Sequence, residues 1–305
     1  MQRLIIIILI FLLSSYVCGQ LYTMSDHYVY HALAINPAYS GSHDALSTTV
    51  LYRNHWTGFK GCPTTMSLSI HTPLANERIG LGFLAMNDNI GVTRETSFIG
   101  NYAYRMDLGY GKLAFGLGAG MIFCCTDWNK LAAADIDDEL LIYNSSTGIM
   151  PDFSVGIYYT TQKYFMGLSV PLFLSHEFDS KANKYIIRNS FKEYNYFYNA
   201  GYIFDINSNI RFFPSLLCKY HKGNSFQIDI NSQIIFKNRI WSGISYRSNN
   251  ILVGMLQCQI NKQLRIAYSH DFVIGKLGHY KNNLQEFMIN YIFKYSAEVT
   301  GPRQF

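Results

Sequence analysis

The sequence predicts an all-β protein: a transmembrane antiparallel up-and-down β-barrel of about fourteen strands with a short N-terminal periplasmic segment. Three observations carry this expectation. Of 305 residues, 49% are hydrophobic and only 15% are charged, against roughly 25% charged in an ordinary soluble domain, so much apolar surface must face something other than water. The longest apolar run, Leu4 to Leu13, falls well short of the roughly 20 residues that a spanning helix needs. After Leu46 the chain becomes a succession of period-two segments about ten residues long, the pattern of strands with one face on lipid and the other on a lumen. A soluble β-sandwich also alternates. Its strands average nearer five or six residues, however, and 24 Tyr and 21 Phe suit the aromatic girdles of a membrane barrel.

Taken in chain order, residues 1–19 read as a secretory signal peptide. Arg3 precedes the apolar stretch and small residues follow it, with Val17 and Gly19 at the minus-three and minus-one positions and cleavage before Gln20. Cys18 leaves a lipoprotein alternative, which Tyr16 and Val17 fit poorly. Residues 20–45 form the periplasmic N-terminal segment, a candidate plug. The barrel occupies 46–296, with strands expected near 46–54, 63–72, 78–87, 93–107, 112–124, 152–161, 163–172, 193–206, 209–221, 225–236, 239–247, 250–260, 263–272 and 285–295. Residues 297–305 are a tail.

The last strand shows the alternation best. Phe287, Ile289, Tyr291 and Phe293 share one face, and Met288, Asn290 and Ile292 the other. In 112–124 the second face is Ala114, Gly116, Gly118 and Gly120, costly in an ordinary strand but useful where a wall must make room for a neighbour or a plug. An even strand number fits a single-chain bacterial barrel. If the N-terminus is periplasmic, the three longest connections (125–151, 173–192 and 273–284) all follow odd strands and lie outside the cell. Thr161-Gln162, Asn207-Ser208, Lys237-Asn238 and Asn261-Lys262 then make tight periplasmic turns, the usual asymmetry of such barrels. Both termini are expected in the periplasm and the protein in the outer membrane, in contact with its lipid.

Little in the chain suggests chemistry. Its 25 basic and 20 acidic residues are scattered, without the Lys/Arg stripe of a nucleic-acid binder. Ser269-His270-Asp271 holds triad residue types, but on a strand His270 points away from its neighbours. His27, His31, His43, His55 and His71 lack metal-site spacing, which leaves surface or structural roles. The cysteines remaining after cleavage, Cys62, Cys124, Cys125, Cys218 and Cys258, form no CxxC pair and read as small apolar side chains. Asp127, Asp135, Asp137, Asp138 and Glu139 cluster in the longest connection. They fit a solvated acidic loop better than a calcium loop, since the required glycine and spacing are missing. Arg53, Arg105, Arg247 and Arg265 lie within strands, and at least the mid-strand ones should face the lumen, because charge on the lipid face costs a few kcal/mol at the midplane. They either pack against acids such as Asp107, Asp229 and Asp271 or line a pore. No enzyme, metal or cofactor is expected.

Two stretches have a more particular look. Residues 36–41 read Asn36-Pro37-Ala38-Tyr39-Ser40-Gly41, and 52–63 carry Tyr52, Arg53, Trp56, Gly58, Gly61 and Pro63. This N-P-A-x-x-G element followed by Y-R-x-x-W-x-G-x-x-G-x-P resembles the PorP/SprF family of type IX secretion system membrane proteins of Bacteroidota. Asn87-Asp88-Asn89-Ile90-Gly91, Gly167-Leu168-Ser169-Val170-Pro171 and Tyr268-Ser269-His270-Asp271-Phe272 extend the likeness over essentially the whole mature chain. Cys62, where the family usually has a small residue, and the final Gly301–Phe305 depart from it. The resemblance implies a noncatalytic outer-membrane component working with the periplasmic and lipoprotein parts of the type IX machinery. It also implies support for export or surface anchoring of adhesin-type proteins bearing a C-terminal secretion domain, in some species for gliding motility. A passive porin-like solute channel is the alternative. Asn36, Pro37, Ala38, Tyr39, Gly41, Arg53, Trp56, Gly61 and Pro63 are the candidate partner-binding or plug residues.

Overall fold

The computed structural model describes residues 25–55, 61–74, 77–127, 146–179, 184–188, 194–221, 226–248, 250–274 and 283–293. The signal peptide, Trp56, the acidic residues 135–139 and the tail lie outside them. Among these residues seventeen strands are formed: β1 Ser47–Asn54, β2 Thr64–Pro73, β3 Ile79–Ile90, β4 Thr93–Leu108, β5 Gly111–Thr126, β6 Ser146–Thr160, β7 Tyr164–Val170, β8 Ser175–Asp179, β9 Lys184–Arg188, β10 Asn195–Tyr202, β11 Phe204–Asp205, β12 Ile210–His221, β13 Gln227–Phe236, β14 Ile240–Arg247, β15 Ile251–Gln259, β16 Leu264–Val273 and β17 Asn283–Ile292. β8 and β9 make a separate hairpin, and β11 continues β10 along β12. The other strands pair antiparallel with their sequence neighbours, and β1 pairs with β17 from Ser47↔Ile292 to Asn54↔Gln285, closing a barrel of fourteen strands.

Closure of β1 on β17 leaves the sheet without a free first or last strand, as hydrocarbon requires, and side-chain alternation then sorts the residues. On β1, Ser47, Thr49, Leu51 and Arg53 are buried in the lumen while Val50 and Tyr52 face outward. On β17, Glu286, Met288 and Asn290 point in, and Phe287 and Ile289 out. The outward face is apolar, with Leu117, Met121, Phe153, Leu168, Ile230, Ile244 and Leu256 each about half exposed or more. Near one rim Tyr159, Tyr164, Tyr202, Phe204 and Phe212 follow one another around the wall, ring centroids 4.5 to 6.3 Å apart, as an interfacial girdle should.

That rim carries short connections, closed by the residues that the sequence places there. Lys237 and Asn238 both adopt positive φ, 49° and 54°, the hairpin geometry that suits strand twist. Asn207 Oδ1 accepts from the Asn209 and Ile210 amides, and Asn261 Oδ1 from those of Gln263 and Leu264. Thr161 Oγ1 does the same for Lys163 and Tyr164. The connections 127–145, 171–194 and 274–282 leave the opposite rim.

All fourteen expected wall strands are present, with ends shifted by up to six residues. β6 starts at Ser146 instead of 152, running through Pro151. β17 ends at Ile292 rather than 295. The connection after β7 contains the β8–β9 hairpin, which alternation did not single out.

Candidate functional site

The lumen is not empty. Residues 25–45 run through it as a mostly buried segment with two single-turn 3₁₀ helices, Ala32–Ala34 and Pro37–Tyr39. Tyr28, Tyr30, Leu33, Ile35, Ala38 and Tyr39 pack with inward Leu51, Phe165, Phe197, Phe213, Trp241 and Met288 in one core. The protein's main hydrophobic core is therefore the interface between this segment and the wall.

At the rim with the long connections the segment is held by charge. Asp26 Oδ1 lies 3.0 Å from Arg247 Nη2 and 3.8 Å from Arg53 Nη2, and Asp26 Oδ2 accepts from Ser269 Oγ at 2.7 Å. Arg247 also reaches Asp229 at 2.8 Å and Asp271 at 3.4 Å; Arg53 reaches Asp271 at 3.8 Å and Glu286 at 3.6 Å. Glu286 in turn accepts from Ser25 Oγ and from the Asp26 and His27 amides. Arg53, Asp229, Arg247, Asp271 and Glu286 all stand within three positions of strand ends at this one rim. Burial alone would raise the Asp26 carboxyl, but Arg53 and Arg247 outweigh it and hold it well below the usual carboxylate range. Burial drives His27 and His31 down to about 4, so both imidazoles are neutral near pH 7.

Halfway down, aromatic and hydroxyl groups take over. Tyr30 Oη donates to Gln233 Oε1 at 3.3 Å, and the Arg265 guanidinium is sandwiched between the Tyr30 and Trp241 rings, 4.7 and 4.5 Å from their centroids. Ser169 Oγ donates to the Ile35 carbonyl at 2.6 Å.

The N-P-A-x-x-G element sits at the lower end, and each of its fixed positions has a physical reason. Asn36 caps the second 3₁₀ turn, its Oδ1 accepting from the Ala38 amide at 2.9 Å while Nδ2 donates to the Ile157 carbonyl at 3.1 Å. Pro37 begins that turn, where a missing N–H costs nothing. Ala38 lies so close to Gly116 on β5, and Asn36 to Gly156 on β6, that a Cβ at either glycine would overlap them. Tyr39 meets His43, His71 and Tyr158 edge to face and pairs its hydroxyl with His43 Nε2 at 2.9 Å. Gly41 has φ +75°, and a Cβ there would lie 2.9 Å from Gly80 Cα; only glycine suits both demands. Asp44 closes this end on Arg105 at 2.6 Å and Lys112 at 3.7 Å.

Of the expected site residues, the structure thus brings Asn36, Pro37, Ala38, Tyr39, Gly41 and Arg53 into one lumenal assembly. Gly61 and Pro63 are elsewhere, in the β1–β2 connection. Gly61, at φ +84°, accepts the Gly91 amide at 3.1 Å, and the Pro63 carbonyl accepts His55 N–H at 2.9 Å. Trp56 is outside the described residues. The four strand arginines face inward as expected, though Arg105 pairs with Asp44 rather than Asp107 and Arg265 stacks on rings. Of the histidines, His27, His31, His43 and His71 are buried structural residues, not surface ones. Sequence reasoning missed Ser25, Asp26, Asp44 and Glu286, and the wall glycines Gly80 and Gly156. The glycines and Glu286 were readable in principle, since each sits at inward parity on its strand. Asp26 and Asp44 gave no signal.

The triad residue types of 269–271 are not brought together. Ser269 donates to Asp26, and His270 stands on the other face of β16 against Phe272, ring centroids 4.5 Å apart. Among the described residues no group of three or more His, Cys, Asp or Glu is set to bind a metal ion.

A closed antiparallel barrel with an apolar outer band, an aromatic girdle and a packed lumen is a membrane barrel of the outer-membrane type. The chain belongs to the family described as type IX secretion system membrane protein PorP/SprF, whose model matches residues 17–291. Among solved structures it is similar to the CymD monoaromatic hydrocarbon channel, with 11% identity, 91% of this chain and 95% of that one covered and a TM-score of 0.51, a likeness of fold alone. It also matches the Acinetobacter baumannii outer membrane protein Omp33, with 5% identity, 82% and 100% coverage and a TM-score of 0.48. No curated protein matches it.

Proposed function

We propose that this protein is a noncatalytic outer-membrane component of the type IX secretion system that supports export or surface anchoring of adhesin-type proteins with a C-terminal secretion domain, and gliding in cells that glide. The observation that carries this reading is the packed lumen. A solute channel needs a water-filled path, whereas here the family's N-terminal motif is built into the bore as a plug. Its partners are then the periplasmic and lipoprotein parts of the machinery and the cargo itself, met at the rims and not through the pore.

The long connections 127–145, 171–194 and 274–282 face the cell exterior in this reading, and the short turns face the periplasm. The lower, Asn36–Asp44 end of the plug is then the part nearest the periplasm, while Ser25 stands toward the outer mouth. The test is export: in cells lacking the native gene, a protein deleted for residues 21–41 still inserts as a heat-modifiable barrel but leaves the cognate adhesin inside the cell. Normal adhesin display by that mutant contradicts the proposal.

The runner-up, a passive porin-like channel, is favoured only by the charged residues inside the barrel. Most of those are buried in ion pairs with the plug or with one another.

A further inference from the structure

At the rim with the short turns the bore is not filled to its edge. A cavity of about 320 Å³ lies there between the end of the plug and the turns that join β4 to β5 and β6 to β7. Its wall includes Asp44 of the plug, Arg105, Asp107, Tyr110 and Lys112 of the β4–β5 hairpin, and Gln162 of the next turn. The volume is at the low end of ligand pockets and suits a side chain or two, not a folded element.

Three of the four charged groups on this wall are matched to one another. Asp44 takes Arg105 at 2.6 Å and Lys112 at 3.7 Å, and Lys112 also reaches Glu77 at 3.2 Å. Asp107 is the fourth. It stands directly across from Lys112 in the β4–β5 ladder, yet the amine turns to the other two carboxylates. The exposed Asp107 carboxylate makes no hydrogen bond or ion pair with any described residue. It belongs to the bore side of the wall, since Ala103 and Arg105, four and two residues before it, are buried in the lumen.

At the tip of the same hairpin Tyr110 is 99% exposed. Gly109, at φ +60°, and Gly111 flank it, so no neighbouring side chain shades the ring. The girdle does not account for this tyrosine. Girdle residues such as Tyr159 and Tyr164 stand ring against ring, whereas Tyr110 has no ring contact among the described residues and lines the cavity instead. An aromatic ring left wholly in water is surface that a partner can bury with gain.

We propose that this cavity receives an arginine side chain of a partner protein. Its guanidinium would pair with Asp107, lie against the face of Tyr110 and keep donors for the Gln162 amide oxygen and the Thr160 hydroxyl, which also line the cavity. An acidic side chain does not fit, because both wall cations are already engaged and Asp107 would repel it. Ser42 and Asp44 belong to the plug, so the same contact braces plug against wall. That the partner is periplasmic rests on the orientation proposed above; the chemistry of the cavity does not.

The test uses the purified mature protein in detergent micelles, with 3-fluorotyrosine at position 110 as reporter. The probes are acetyl-Gly-Arg-Gly-amide and acetyl-Gly-citrulline-Gly-amide, alike in shape and different in charge. The arginine peptide should shift the fluorine resonance saturably, with a dissociation constant in the millimolar range expected of so few contacts. The citrulline peptide should bind about tenfold more weakly or less, the loss of one charged hydrogen-bonded pair. Asp107→Asn should weaken the arginine peptide by a similar factor without harming the fold, since the carboxylate bonds to no described residue. Asp205→Asn, at a half-exposed carboxylate elsewhere on this rim that pairs with Lys163, should leave binding unchanged. No saturable shift with the arginine peptide, equal binding of the citrulline peptide, or an equal loss in Asp205→Asn overturns the proposal. The assay needs neither export nor a membrane orientation, so its failure strikes the cavity alone and leaves the secretion reading to the deletion experiment.

Discussion

Substituting alanine for Gly116 adds one methyl group to the lumen wall, and the fold says where the cost falls. The new Cβ would overlap backbone atoms of Pro37 and Ala38, which cannot rotate aside as a flexible side chain could, so the plug must shift away from β5. Overpacking of this kind costs about 1–3 kcal/mol. The shift also pulls on two anchors nearby, Asn36 Nδ2 to the Ile157 carbonyl and Ser169 Oγ to the Ile35 carbonyl, each worth about 1 kcal/mol. Together these come to about 3–5 kcal/mol against docking, or at ~1.4 kcal/mol per decade roughly a hundred- to a few-thousandfold more time undocked. The wall itself should not suffer, since Ala114, on the same face two residues away, is already accommodated. Hydrogen exchange read by mass spectrometry should show peptides from 28–45 losing that much protection while β5 and β6 keep theirs. Gly100→Ala is the control, for its Cβ would point outward and approach nothing closer than the Ala119 carbonyl at 3.8 Å. Protection of 28–45 unchanged in Gly116→Ala, or lost equally in Gly100→Ala, would refute the close fit of plug and wall.

Arg247→Met leaves Asp26, Asp229 and Asp271 without their shared guanidinium. Breaking a buried ion cluster from one side costs about 3–5 kcal/mol, so the temperature at which the barrel loses its compact electrophoretic form should fall, and an unchanged temperature counts against the cluster. Acidification should loosen the plug. Docked His27 and His31 protonate only near 4, against an ordinary value of 6.5, so between these values the undocked segment binds more protons. Docking is thus complete above about pH 6.5 and weakens as pH falls toward 4, and Asp26, held low when docked, acts in the same direction. Hydrogen exchange of 28–45, corrected for the intrinsic pH dependence, should lose protection between pH 7 and 4.5; a flat profile contradicts the assignment. The 21–41 deletion should insert yet fail to export, as set out above.

The barrel was legible in the sequence because one physical rule, lipid on one face and lumen on the other, repeats in every wall strand, and fourteen repetitions average out local noise. The glycines on β5 show how far that rule reaches: alternation gathered Gly116, Gly118 and Gly120 on one face with room for a neighbour or a plug, and Ala38 of the plug lies against Gly116. Strand ends were harder. Pro151 reads as a breaker, yet β6 runs through it, paired with Met121 of β5. The plug was legible only as a motif. Asn36, Pro37 and Gly41 reveal a capped turn, but nothing local says that Asp26 will meet Arg247, since that contact spans 221 residues and depends on barrel closure. Gly61 and Pro63 show the converse, motif positions next in sequence to Arg53 that serve the β1–β2 connection and not the lumen.

The central claim is that the chain fills its own bore, and planar-bilayer conductance measures this most directly. The purified full-length protein should be silent at neutral pH under moderate voltage, and the 21–41 deletion should conduct steadily. A large, steady open pore in the intact protein would contradict the account and return the channel reading to first place.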